Sequence, residues 1–265
     1  MPVSCVAILC VHNEANHIRR AINDFVSQGI DVVLIDNGST DHTLQICSEF
    51  LGNGLLSIEH MPWKGEFDLS TQLEIKNTIV RNLNHDWVIH ADADEWMHSP
   101  VEGESLLDGI TRLSEHGFNV INFEEFVFLP TQDEKYNLDN YQKVFLNYYY
   151  FSPQKQRLMR AWNRLLSCSN IESGGHKLSG DGINVSPESF ILRHYIALSY
   201  EHAVQKYLQR IFSKRDLAKN WHKKRLNISQ EKLELPSPDK LKQLDRWNSY
   251  NLDFSDPKKE HYWNW

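Results

Sequence analysis

The chain has 265 residues, 41% hydrophobic and 24% charged, with 28 Lys and Arg against 35 Asp and Glu for a formal net charge of −7. That length buries a substantial core, the composition excludes a disordered chain, and the acidic balance argues against general nucleic-acid binding, which needs a basic surface. Cys5, Cys10, Cys47 and Cys168 form no C-x-x-C pair, so neither a zinc site nor a disulfide framework is expected and a reduced, cytoplasmic setting is the simplest.

In chain order, Met1 leads straight into a strand pattern without a basic start, a long apolar stretch or a small-residue cleavage site, so no signal peptide is expected. No window approaches 18 apolar residues, so no membrane span is expected. The continuous apolar run Val6 to Val11 reads as a buried parallel strand. Asn13 and Glu14 follow as turn and helix-start residues, and Ile18, Ala21, Ile22 and Phe25 mark one face of a helix that stops at Gly29. DVVLIDNGSTDHTLQICSEFL repeats the plan, with a strand Val32 to Ile35, a polar loop and a helix through Leu44, Cys47 and Leu51. Two successive βα units imply a parallel sheet with right-handed crossovers. A third helix and a strand Trp87 to Ala91 come next.

From about Phe118 the segments FNVINFEEFVFLP, YQKVFLNYYYF, KQRLMRAW and ESFILRHYI are β-rich, separated by the long loops TQDEKYNLDN and NIESGGHKLSGDG. From Ser199 the chain reads as helical, with Val204, Tyr207, Leu208, Ile211 and Phe212 on one face. The expected architecture is α/β. A domain spans residues 1–198, in two halves divided at about residue 100, and a helical C-terminal extension, 199–265, packs on it.

Asp92, Asp94 and Glu95 gather directly after the strand ending at Ala91. Ligands of open α/β sheets collect outside the carboxyl ends of the strands, so Asn13, Asp36 and Asp92 should share one crevice. Two carboxylates separated by one residue supply hard oxygen ligands suited to Mg²⁺ or Mn²⁺. An acidic surface turn is the alternative for this cluster, and helix capping is the alternative for Asn13 and Asp36.

Taken together, AILCVHNEANHIRRAI, VVLIDNGSTDHT and HADADEW resemble the family 2-like glycosyltransferases of the GT-A fold, over roughly residues 3 to 100. ILRHYIALSYEHAVQK is similar to segments of some bacterial members. The resemblance implies a GT-A type mixed sheet flanked by helices, with a nucleotide-binding half over about 1–100 and an acceptor half over about 101–198, and a nucleotide-sugar donor held by its diphosphate on Mn²⁺ or Mg²⁺. It places that donor against Val11, Asn13, Glu14, Asp36, Lys76, Asn77, Asp92 and Ala93. Lys76 and Asn77 stand where relatives often carry Arg-Asn, and lysine lacks the bidentate fork. The metal would fall to Asp94 first, with Asp92 and His194 as further ligands.

A transferase also needs a base for the acceptor hydroxyl. The long loop 170–181 offers Glu172 first and His176 second, with Glu124, Glu125 and Asp181 behind them; relatives show Glu after the His where this chain has Lys177. The expected partners are a UDP-sugar donor and a glycan or glycolipid acceptor of bacterial surface-polysaccharide type, with no nucleic acid. A sugar-phosphate nucleotidyltransferase is the rival enzyme, although HNEANH lacks the Gly-rich basic loop that a triphosphate requires, and a non-catalytic sugar- or nucleotide-binding protein is a further alternative. Lys206, Arg210 and Lys214 recur every four residues, reading either as a solvated helix face or as a stripe that rests on anionic lipid at the inner face of the membrane.

Overall fold

The computed structural model describes residues 3–131, 134, 136–246 and 250–265. Gln132, Asp133 and Lys135 of the TQDEKYNLDN loop lie outside the described residues. The first half alternates strand and helix: β1 (Cys5–Val11), α1 (Ile18–Ser27), β2 (Asp31–Asp36), α2 (Thr43–Ser48), β3 (Leu55–His60), α3 (Leu69–Asn82) and β4 (Trp87–Ala91). β1 lies between β2 and β4, all three parallel, and β3 extends the sheet beyond β2. Strand side chains alternate between faces. On β1, Cys5, Ala7 and Leu9 enter a core with Ile18, Ile22 and Phe25 of α1, while Val6 and Ile8 enter a second core with Val80 of α3. Both faces are covered, which is why the strand reads as an unbroken apolar run. Gly29 ends the α1 segment at φ +76, a left-handed position that costs glycine nothing.

The second half adds β5 (Glu95–His98), α4 (Leu106–Glu115), β6 (Val120–Leu129), α5 (Tyr141–Val144), β7 (Asn147–Phe151) and β8 (Met159–Asn163). The short strands β9 (Cys168–Ser169) and β10 (Ser179–Gly180) pair with each other, and β11 (Phe190–His194) follows. β8 joins the two halves, running antiparallel to both β4 and β6. β11 lies parallel to β6 and antiparallel to β5, a register that sets His194 opposite Glu95.

Two helices open the C-terminal segment, α6 (Tyr200–Leu208) and α7 (Lys214–Ala218). Short 3-10 turns, a two-residue strand β12 (Lys242–Gln243) against β7, and a last turn at Tyr262–Asn264 complete it. Its Tyr207, Ile228, Leu233, Tyr262 and Trp263 bury themselves against Val127 of β6 and Tyr149 of β7. The single apolar helix face expected through Ile211 and Phe212 is broken. Phe67 donates its N–H to the Ile211 carbonyl (2.7 Å) and accepts from the Ser213 N–H (2.9 Å), which pulls this stretch out of helix. Phe212 is buried and Ile211 is exposed as a result.

That clasp continues into α3. Asp216 of α7, fully buried, accepts from the N–H groups of Leu69 (2.7 Å) and Ser70 (3.1 Å) and from the Ser70 hydroxyl (2.7 Å). Asp68 accepts from Thr71 N–H one turn further on. The orphan donors at the α3 N-terminus are thus met partly from 147 residues away, and a carboxylate there also suits the helix dipole.

Candidate functional site

The carboxyl ends of β1 and β4, the N-terminal turns of α3, and the 206–225 segment enclose a cleft of about 190 Å³. Val11, Glu14, Lys76, Asp92, Ala93, Asp94, His176 and His194 line it. The acids after β4 are each met by a base. Glu95, buried, receives the Arg160 guanidinium at 2.9 Å and accepts the Asp92 N–H at 3.0 Å. Burial raises the Glu95 pKa above its usual value, against the pull of Arg160. Asp92 is half exposed and turns its carboxylate towards the same guanidinium, at 3.4 Å. Arg160 reaches both from β8, and the sequence offered no signal for it beyond a charged residue in an otherwise apolar strand.

Asp94 faces a different way. Its Oδ2 meets His194 Nε2 at 3.2 Å and lies in direct contact with the Lys206 ammonium. The β5–β11 pairing places His194 there, reinforced by Tyr195 N–H donating to the Asp94 carbonyl at 2.9 Å. Burial alone would raise the Asp94 pKa, yet Lys206 and His194 outweigh it and hold the carboxyl well below its usual range. His194 is the mirror case. Burial would lower its pKa, but Asp94 prevails and the ring is held above its ordinary value. With Nδ1 on Glu125 at 2.6 Å, each ring nitrogen meets a carboxylate oxygen.

Asp92, Asp94 and His194 were expected to share one metal. Among the described residues no group of three or more His, Cys, Asp or Glu is arranged to hold an ion. Asp92 points to Arg160 whereas Asp94 points to His194, so only the latter two are brought together. Arg20 fixes this loop from behind, donating to the carbonyls of Ala93 (2.7 Å) and Glu95 (2.8 Å).

Lys76 is buried on α3 and donates to the Ala91 carbonyl at 3.3 Å; burial lowers its pKa despite Asp92 nearby. Asn77, one position on, does not line the cleft. Asn13 and Asp36 are not among the residues that line the cleft. Asn13, at φ +58, accepts from Thr40 N–H (2.7 Å), while Asp36 accepts from the N–H groups of Gly38 and Ser39, both at 3.1 Å. They shape the two loops; His12 stacked on Trp63, centroids 3.9 Å apart, presents one aromatic surface to the cleft, beside Phe67 and Tyr207. Glu14 lines the cleft with its pKa pushed up to about 7, chiefly by burial.

Of the base candidates, Glu172 is exposed and lies outside the cleft lining, as does Asp181. His176 lines the cleft, reached by solvent although protein surrounds it on most sides, and burial with Arg160, Arg157 and Arg225 nearby keeps it neutral. The 206, 210, 214 stripe is also overturned as a surface feature. α6 ends at Leu208, Lys206 turns inward to Asp94, Arg210 lines the cleft over Phe67, and only Lys214 is left exposed. No helix among the described residues is long and apolar enough to cross a membrane.

Residues 6–160 match the family model described as Glycosyl transferase family 2. The chain belongs to that family. An uncharacterized glycosyltransferase of Rickettsia bellii is 34% identical over 98 residues, 37% of this chain and 30% of that protein. Glycosyltransferase GlyA of Streptococcus pneumoniae is 27% identical over 93 residues, 34% of this chain and 13% of that protein. The chain thus spans less than a third of the length of either relative. A crystal structure of S. aureus TarS 1-349 in complex with UDP aligns at 15% identity and TM-score 0.46, over 78% of this chain and 65% of that one. In this member of the family, Asp36, Lys76, Asp92 and Asp94 fall inside the matched span. His194, Lys206, Arg210 and Arg225 lie beyond it, brought to the cleft by the β5–β11 pairing and the C-terminal clasp.

Proposed function

We propose that the chain is a glycosyltransferase that moves a sugar from a nucleoside-diphosphate sugar, UDP-sugars favoured, to a hydroxyl of a glycan or glycolipid acceptor, with inversion. The observation that carries this is the Asp94–His194 pair at the carboxyl end of the sheet, facing a cleft to which Lys76, Arg210 and Arg225 add positive charge. The donor's diphosphate suits that charge, and Glu14 at the cleft wall offers a carboxylate to sugar or ribose hydroxyls.

The pair also fits a divalent cation. Its oxygen and nitrogen are 3.2 Å apart, close to the ~3 Å spanned by neighbouring ligands about a hard ion bound at ~2.1 Å. One carboxylate and one imidazole suit Mn²⁺ rather better than Mg²⁺. When bound, such an ion would supply Lewis-acid neutralisation of the leaving diphosphate. The protein's own cations serve the same end: Lys76 and Arg210 face the charge that develops as the anomeric C–O bond breaks. The acceptor oxygen attacks from the opposite side and its proton passes to the neutral His176, which lies on the wall shared with the larger adjoining cavity. Glu172 takes second place because it lies outside that wall.

The test is UDP-sugar hydrolysis and UDP binding, each with Mn²⁺ and with EDTA. UDP should raise the melting temperature, and Asp94→Asn should remove turnover. Full activity of Asp94→Asn would overturn the assignment of this cleft.

A further inference from the structure

Beside the donor cleft opens a second cavity of about 460 Å³, continuous with it through shared walls at Asp92, Arg160, His176, His194 and Arg225. Six Arg and Lys side chains line it: Arg157, Arg160, Lys223, Lys224, Arg225 and Lys259. Four acids face them, and all four are already matched. Arg160 serves Asp92 and Glu95, Arg157 serves Glu125, and Lys224 pairs with Glu260 at 2.7 Å. Lys223, Arg225 and Lys259 remain with no carboxylate partner among the described residues. Lys259 donates only to the Ser152 carbonyl, and Arg225 rests over the Tyr207 ring.

Three of the four histidines that line this cavity report the same excess, while the fourth, His194, is held up by Asp94. His176, His222 and His261 all have lowered pKa values, first through burial and then through neighbouring cations, with Arg225 acting on each. Lys223 and Lys259 are exposed and Arg225 is half-buried, and cations gathered about one opening without carboxylate partners offer an anion a favourable seat. The donor's diphosphate does not account for Lys223 and Lys259, although Arg225 lines both spaces. Lys223 and Lys259 line this cavity and not the donor cleft, whereas Arg210 lines the cleft and not this cavity.

We propose that this cavity seats the acceptor and that the acceptor is an anionic saccharide, its phosphate or carboxylate group held by Lys223 and Lys259, with Arg225 on the wall shared with the donor cleft. The proposal rests on the glycosyltransferase reading of the adjoining cleft. It places the charged group on the far side of the cavity from Asp94, with a sugar hydroxyl directed at His176. A neutral glycan would leave Lys223 and Lys259 without an anionic partner.

The experiment measures binding of glucose 6-phosphate, glucuronate and glucose to the full chain in the presence of UDP, by ligand-observed NMR titration, for the wild type and a Lys223→Gln/Lys259→Gln variant. One or both charged sugars should bind at least about tenfold more tightly than glucose, what one charge-assisted contact is worth. Which one binds names the anionic group. The double variant should erase that preference while keeping wild-type UDP affinity. Equal binding of all three sugars, no binding of any while UDP still binds, or an unchanged preference in the variant would overturn the proposal. Failure of the wild type to bind UDP would instead remove the glycosyltransferase reading beneath it.

Discussion

Asp216→Ala tests whether the C-terminal segment is held over the cleft by the clasp on α3. The substitution removes the acceptor of three hydrogen bonds, two from backbone N–H groups of Leu69 and Ser70 and one from the Ser70 hydroxyl. Asp216 and Ser70 are both fully buried, so the donors at this end of α3 lose their partner without free access to water. A hydrogen bond to a charged group contributes about 1.5–3 kcal/mol, and an unsatisfied buried donor costs about 1–3 kcal/mol. Asp68 still caps Thr71 and some water can enter the space left, so the three bonds do not add in full. A loss of about 3 kcal/mol follows, and for a chain of this length each kcal/mol moves the melting temperature by roughly 2–4 °C. Calorimetry should therefore show a fall of about 6–12 °C, with a smaller one for Asp216→Asn, whose amide oxygen still accepts. UDP affinity should fall as well, since Arg210 and His222 flank α7. A melting temperature within about 2 °C of wild type would show that water or Asp68 replaces Asp216 and that the clasp does not hold the segment.

Three further outcomes follow from the same geometry. Gly38 has φ +67, and an added Cβ would stand 2.6 Å from Trp63 Cβ; Gly38→Ala should cost at least ~1–2 kcal/mol from backbone strain alone, displace the His12–Trp63 stack and weaken UDP binding by titration calorimetry. Glu14, with its pKa raised from 4.5 to about 7, binds more protons folded than unfolded across that window, so its contribution to stability falls as pH rises from 4.5 to 7. Glu14→Gln should flatten the wild-type decline in melting temperature over that range, and an identical pH profile would refute the shift. Lys206→Met removes the ammonium that occupies the Asp94 carboxylate, so Mn²⁺ affinity without nucleotide, read by electron paramagnetic resonance, should rise; an unchanged or lower affinity would mean that Lys206 does not compete for that oxygen.

The elements legible in the sequence are those whose burial is complete and local. β1, β2 and β4 are covered on both faces and read as apolar runs, and α1 carries its buried Ile18, Ala21, Ile22 and Phe25 at helical spacing. β3 was missed because it lies at the sheet edge, where only Leu55 is buried and LLSIEH shows no clean alternation. β5 was missed for a different reason. Its four residues begin inside the acidic motif at Glu95, and what makes them a strand is pairing with β11 about a hundred positions later. The break after Leu208 is likewise set by Phe67, and no local pattern near Ile211 announces it.

The same division governs the site. Asp92 and Asp94 could be placed because a strand end in a parallel sheet is a local feature, whereas their partners come from β8, β11 and α6 and acquire meaning only once folded. Lys206 and Arg210 have the spacing of a solvated stripe, and the sequence carries nothing to distinguish a lysine facing water from one facing a carboxylate 112 positions away. Charge supplies the missing logic. Four acids, Asp92, Asp94, Glu95 and Glu125, gather around one strand end, and Arg157 before β8, Arg160 on β8, His194 on β11 and Lys206 on α6 neutralise them. The acid cluster is tolerable because the rest of the chain balances it, which leaves Lys76, Arg210 and Arg225 without a carboxylate partner among the described residues. On the proposed reading, an incoming diphosphate would therefore meet cations rather than the acids that the motif displays. The acidic turn and the basic C-terminal segment are two halves of one electrostatic arrangement, and reading either alone as a surface feature mistakes its purpose.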